Sequence, residues 1–102
     1  MSMARPVHPN ALKAPPTALA DANAQEIIRA WIVKGGLQVS LMRSFDDPSV
    51  WGLLLVDIAR HASRIYAAEG DCSEAEALDQ IRKLWNAEIG SPTDSGTTEQ
   101  SH

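Results

Sequence analysis

The chain has 102 residues, with 9 Lys and Arg against 13 Asp and Glu and a net charge of −4. Residues 1–25 carry +1, residues 26–89 carry −3 and residues 90–102 carry −2, so no segment offers the basic footprint that a phosphate backbone requires, which argues against nucleic-acid binding. A single cysteine, Cys72, rules out an internal disulfide and a thiolate cluster.

The longest unbroken apolar run, residues 53–56, is far too short to cross a bilayer. The first twenty residues are interrupted by Pro6, Pro9, Pro15 and Pro16 and lack the apolar run of a signal peptide, so a cytoplasmic protein is expected, without a membrane partner. The length predicts one domain. Setting the polar ends aside leaves roughly 65 residues to build a core, a size at which oligomerisation is an ordinary remedy.

Residues 1–20, rich in Pro and Ala and without a helical or alternating period, read as a disordered arm, and residues 21–90 as a single α+β domain. Residues 26–42, EIIRAWIVKGGLQVSLM, admit two readings. In the first, two apolar runs form an antiparallel hairpin around Gly35-Gly36, which suit a type I′ turn because both central positions need positive φ. That register sets Ile32 opposite Val39 and Ala30 opposite Leu41. It gives a clean face of Ile28, Ala30, Ile32, Leu37, Val39 and Leu41 and a mixed face that carries Trp31. In the rival reading residues 21–34 form a helix, with Ala24, Ile27, Ile28 and Trp31 at helical steps and Gly35 as its stop. The hairpin is preferred, because Trp-Ile-Val and the alternating Leu-Gln-Val-Ser-Leu favour strand.

Residues 46–69, DDPSVWGLLLVDIARHASRIYAAE, predict one long helix. Asp47 is placed as its N-cap, Pro48 at the first helical position and Gly70 as its stop. Trp51, Leu54, Leu55, Ile58, Ala62 and Ile65 form the expected core stripe. The N-terminal half is apolar nearly all round, so Trp51 and Leu53 are placed at a subunit contact. Trp31, facing away from the clean side of the hairpin, is assigned either to the same kind of contact or to cover by the N-terminal arm. A second helix follows at once. Ser73 and Glu76 make a capping box, Ala77, Leu78, Ile81, Leu84 and Trp85 an apolar stripe, and Gly90 and Pro92 a stop. The short link makes the two helices antiparallel neighbours. Residues 91–102 read as a disordered polar tail.

One cluster is a candidate for chemistry. Asp57, Arg60, His61 and Arg64 fall at i, i+3, i+4 and i+7 on the long helix and share one stripe. A titratable histidine among arginines suits a small anionic ligand; the plainer account is a solvated face with intrahelical pairs. Cys72 has the acids Asp71 and Glu74 beside it and nothing basic, which reads as an inert or partly buried thiol. No metal-ligand spacing, phosphate loop or nucleophile with a neighbouring base is present, so no metal, cofactor or catalytic residue is expected.

Residues 26–70 resemble a small family of proteobacterial proteins of unknown function. The resemblance rests on Arg29-x-Trp31, the glycine-containing turn, Val39-Ser40-Leu41, and Asp47-Pro48 followed by WGLLLVDIARHASRIYA. It implies a short α+β protein, a hairpin followed by helices, and carries over no activity or cofactor. Relatives place Pro-Gly where this chain has Lys34-Gly35-Gly36, which leaves the turn type open. The expected function is that of a small non-enzymatic interaction or regulatory protein acting as a homodimer with a further protein partner. The alternative is an anion-binding protein or enzyme that uses the polar stripe.

Overall fold

The computed structural model describes residues 7–93 and 97–101. A four-residue helix α1 (Pro16–Leu19) precedes a hairpin of β1 (Ile28–Val33) and β2 (Gly36–Met42). Two helices follow, α2 (Val50–Ala68) and α3 (Glu74–Gly90), and then a short strand β3 (Thr97–Ser101). The fold is α+β, a hairpin followed by two antiparallel helices.

The helical reading of residues 21–34 gives way to strand. β1 pairs antiparallel with β2, Ile32 opposite Leu37, Ala30 opposite Val39 and Ile28 opposite Leu41. The turn is Lys34-Gly35, with φ of 51° and 77°, rather than the expected Gly35-Gly36. The pairing is therefore shifted by two residues from the one read in the sequence. A shift of two preserves the alternation, so both faces keep the residues assigned to them. The hydrophobic pattern cannot separate these two registers; only the turn does. The one chosen puts a lysine in the left-handed region, which β-carbon crowding disfavours.

β3 lies parallel to β2, giving the order β1-β2-β3. The strand falls within residues 91–102, which the sequence reads as a polar tail. Thr-Thr-Glu-Gln-Ser has no apolar period, and its strand forms by backbone pairing to the edge that the hairpin leaves open. In the same way the arm holds one helical turn, α1, which Pro16 opens with its φ already set.

α2 begins later than expected. Asp47 does not cap a helix opened by Pro48. Its carboxylate accepts the Ser49 N–H at 2.9 Å, and its carbonyl and those of Pro48 and Ser49 take the amides three residues on, a tight turn that leads into Val50. The bond from the Ser49 backbone N–H, reinforced by the Ser49 side chain, holds the Asp47 carboxyl below the usual carboxylate range. At the other end Gly70 has φ 81°. The Asp71 N–H reaches the Tyr66 carbonyl and the Gly70 N–H that of Ala67, the paired closure that glycine at this position permits. α3 opens on the expected capping box: the Ser73 hydroxyl accepts the Glu76 N–H at 3.0 Å, and the Glu76 carboxylate accepts the Ser73 N–H at 3.3 Å. Beyond its last turn the Glu88 carboxylate accepts the Thr93 N–H at 2.7 Å and the Thr93 hydroxyl at 2.6 Å.

α2 and α3 pack on each other, and the fully buried Ser63 and the buried Ala77 are the tightest points of the fold. The expected core stripe of α2 is corrected here. Ile58 and Ile65 stand 43% and 59% exposed. The helix turns a different face to α3, where Ala59 and Ser63 are small enough to let the two backbones approach. The sheet forms no element contact with α2 or α3 among the described residues. The radius of gyration is 16.1 Å, against about 13 Å for a compact chain of 100 residues. The exposed surface is 9032 Å², about 1.6 times the ~5,600 Å² of a compact monomer of 11.0 kDa.

Candidate functional site

The polar stripe of α2 is fully solvated. Asp57, Arg60, His61 and Arg64 are all exposed, with Arg60 and Arg64 at the margin of the α2–α3 seam. Only two of the four interact. The Arg64 guanidinium lies 3.4 Å from the His61 Nδ1. Its Nε donates to the Glu74 carboxylate at 2.9 Å, an ion pair from α2 to the first residue of α3. Arg64 is thus a tie between the helices. Asp57 and Arg60 join no ion pair among the described residues, so the pairing of Asp57 with Arg60 or His61 that their spacing allowed does not form.

The apolar surface is the larger feature. On one side of the α2–α3 seam a groove of about 420 Å³ is lined by Gly52, Leu55, Val56, Leu78, Ile81 and Trp85, with Arg60 and Arg82 also on its walls. Arg82 is held by Asp79, whose carboxyl is kept low by hydrogen bonds from Arg82 and Lys83. On the other side a groove of about 520 Å³ is lined by Tyr66, half-buried Cys72, Ile81, Leu84 and Trp85.

Of the three residues placed at a subunit contact, Leu53 is 65% exposed. Trp51 is half-buried: Phe45 meets it edge to face at 5.6 Å, and its Nε1 donates to the Arg43 carbonyl at 3.1 Å. Trp31 is half-buried against the His8 ring, edge to face at 4.9 Å. The mixed face of the hairpin is therefore met by the N-terminal arm, the plainer of the two accounts given for Trp31. Sequence reasoning missed Ile58 and Ile65 as surface residues. The signal was present in a helix apolar on more sides than one partner helix can cover.

Residues 11–93 match the family described as a domain of unknown function (DUF5076). The chain belongs to this DUF5076 family. A solved structure from the photosynthetic bacterium Rhodopseudomonas palustrus CGA009, provisionally named a pyruvate dehydrogenase, is 46% identical to it. That match covers 93% of this chain and 98% of the other, with a TM-score of 0.73. No curated protein matches the chain. The DUF5076 fold here has no helix, among the described residues, long and apolar enough to cross a membrane. Nor does it bring three or more His, Cys, Asp or Glu together where a metal could sit, again among the described residues.

Proposed function

We propose that this DUF5076 protein is a non-enzymatic interaction or regulatory protein that works as a homodimer. The observation that carries this is the apolar surface. Beyond Ser63 and Ala77 the described residues include no buried side chain, while isoleucines, leucines and valines of both helices and the hairpin stand exposed. A monomer of this shape lacks the burial needed to offset the conformational entropy of its ordered residues. Size-exclusion chromatography with light scattering at micromolar concentration is expected to give a mass twice 11.0 kDa. A folded monomer under those conditions rules the reading out.

A second reading, binding of a small carboxylate by the α2 stripe, is favoured by the name of the 46% identical relative and by the two arginines and histidine in the stripe. Calorimetric titration with pyruvate is expected to show binding that Arg60→Ala and His61→Ala abolish without lowering the melting temperature. No heat at millimolar pyruvate removes this reading.

A further inference from the structure

Two of the exposed apolar faces are of different kinds, and among the described residues the chain does not bring them together. The first is the clean side of the hairpin: Ile28, Ala30, Ile32, Leu37, Val39 and Leu41. None of these is buried; Ile32 is 74% and Leu37 49% exposed. The second is the side of α2 turned away from α3, carrying Trp51, Leu54, Ile58, Ala62 and Ile65, again with none buried. A pleated apolar face and a helical apolar stripe are the two halves of a two-layer α/β core. They are joined here by residues 43–49 on one side, and β3 returns the chain to the sheet on the other, yet among the described residues sheet and helices make no element contact.

The connector explains the separation. Ser44 sits at φ 62°, a left-handed conformation unfavourable for a serine, and its hydroxyl donates to the Met42 carbonyl at 2.9 Å. The Trp51 indole clamps the Arg43 carbonyl, and Phe45 packs against that indole. The path from β2 into α2 is thus pinned at both ends by its own side chains.

Resting on the homodimer reading above, we propose that the occupant of each face is a second copy of the chain, bound reciprocally: the sheet of one copy lies across α2 of the other. A twofold axis makes that contact twice and covers both faces in both copies. A helix-to-helix or sheet-to-sheet dimer leaves one face bare in each. The surplus of exposed surface over a compact monomer, about 3,400 Å² on each chain, exceeds the roughly 1,000–2,500 Å² per partner that obligate homodimers bury, so each chain has surface enough for such a contact.

Disulfide trapping of the full chain tests this. In a Cys72→Ser background, an affinity-tagged chain with Ile32→Cys is mixed with an untagged chain with Ile65→Cys, unfolded in urea, refolded together and oxidised. A second pair, Leu37→Cys with Ile58→Cys, guards against a misfolded variant, and circular dichroism checks each chain. The expected product is the mixed sheet-to-helix dimer, several-fold over links between like chains. A light-scattering dimer that gives mainly Ile65→Cys links to itself overturns the reciprocal arrangement and leaves the dimer standing. A monomer overturns both. A chain carrying both Ile32→Cys and Ile65→Cys that closes its disulfide internally shows that the two faces meet within one chain and overturns the proposal.

Discussion

Ser63 has no exposed surface, and its hydroxyl is spent within its own helix, donating to the Ala59 carbonyl at 2.8 Å. What α3 meets at that point is a small side chain with its polar atom already satisfied. Ser63→Leu is therefore expected to overpack the seam and cost ~1–3 kcal/mol, lowering the melting temperature by several degrees in a domain of this size. Ser63→Ala leaves no donor unpaired and should change stability by less than about 1 kcal/mol. Thermal melts followed by circular dichroism separate the two; equal effects would show that volume at this position does not matter. Ser63 is adjacent in sequence to the polar stripe, and a search for large apolar residues at helical steps passes over it. The Arg64–Glu74 pair is exposed on both partners and adds little to the seam.

At the scale of elements, α3 is held at both ends by side chains that read the chain locally. Its start was plain from Ser73 and Glu76 alone, since a capping box needs only residues three apart. Its end depends on Thr93 folding back, which no local pattern announces. The Thr93 hydroxyl and then its N–H, both donating to the Glu88 carboxylate, hold that carboxyl below the usual range. A depressed native value means the group stabilises the turn above the ordinary glutamate range, and that contribution is lost as pH falls through the native value. Protection of the Thr93 amide, its exchange rate relative to the intrinsic rate at the same pH, is thus expected to fall on acidification below the ordinary glutamate range, and Glu88→Gln should remove that loss of protection. Unchanged acid dependence in that variant would show that another group is responsible. The hairpin illustrates the limit of local reading. Alternation assigned its faces correctly, but it is blind to a two-residue shift, and the turn settled on Lys34-Gly35.

For the whole molecule, shape dominates. With a radius of gyration of 16.1 Å and no element contact between helices and sheet among the described residues, the isolated chain resembles a small sheet and a helix pair joined by a connector. Each is marginal alone, as a small sheet without a covering layer and a single helix pair generally are. If association supplies the missing burial, unfolding is coupled to dissociation and stability follows mass action. The melting temperature is expected to rise by several degrees over about two decades of protein concentration. A concentration-independent melt would mean that each chain is stable by itself.

The sequence by itself determined the two long helices, the capping box, the glycine stop and, once the hairpin is preferred over a helix, the two faces of that hairpin, all from residues within a few positions of one another. It also placed Asp57, Arg60, His61 and Arg64 on one stripe, since helical spacing requires that. Only the tertiary structure decided which side of α2 meets α3. That choice turns on how closely two backbones can approach over Ala59 and Ser63, a property of facing surfaces rather than of either helix. It likewise decided that Arg64 ties the helices together while Asp57 and Arg60 stay free of ion pairs among the described residues, and that Thr97–Ser101 becomes a strand. A polar segment without a period gains its order from the open edge of β2, which exists only once the hairpin has formed.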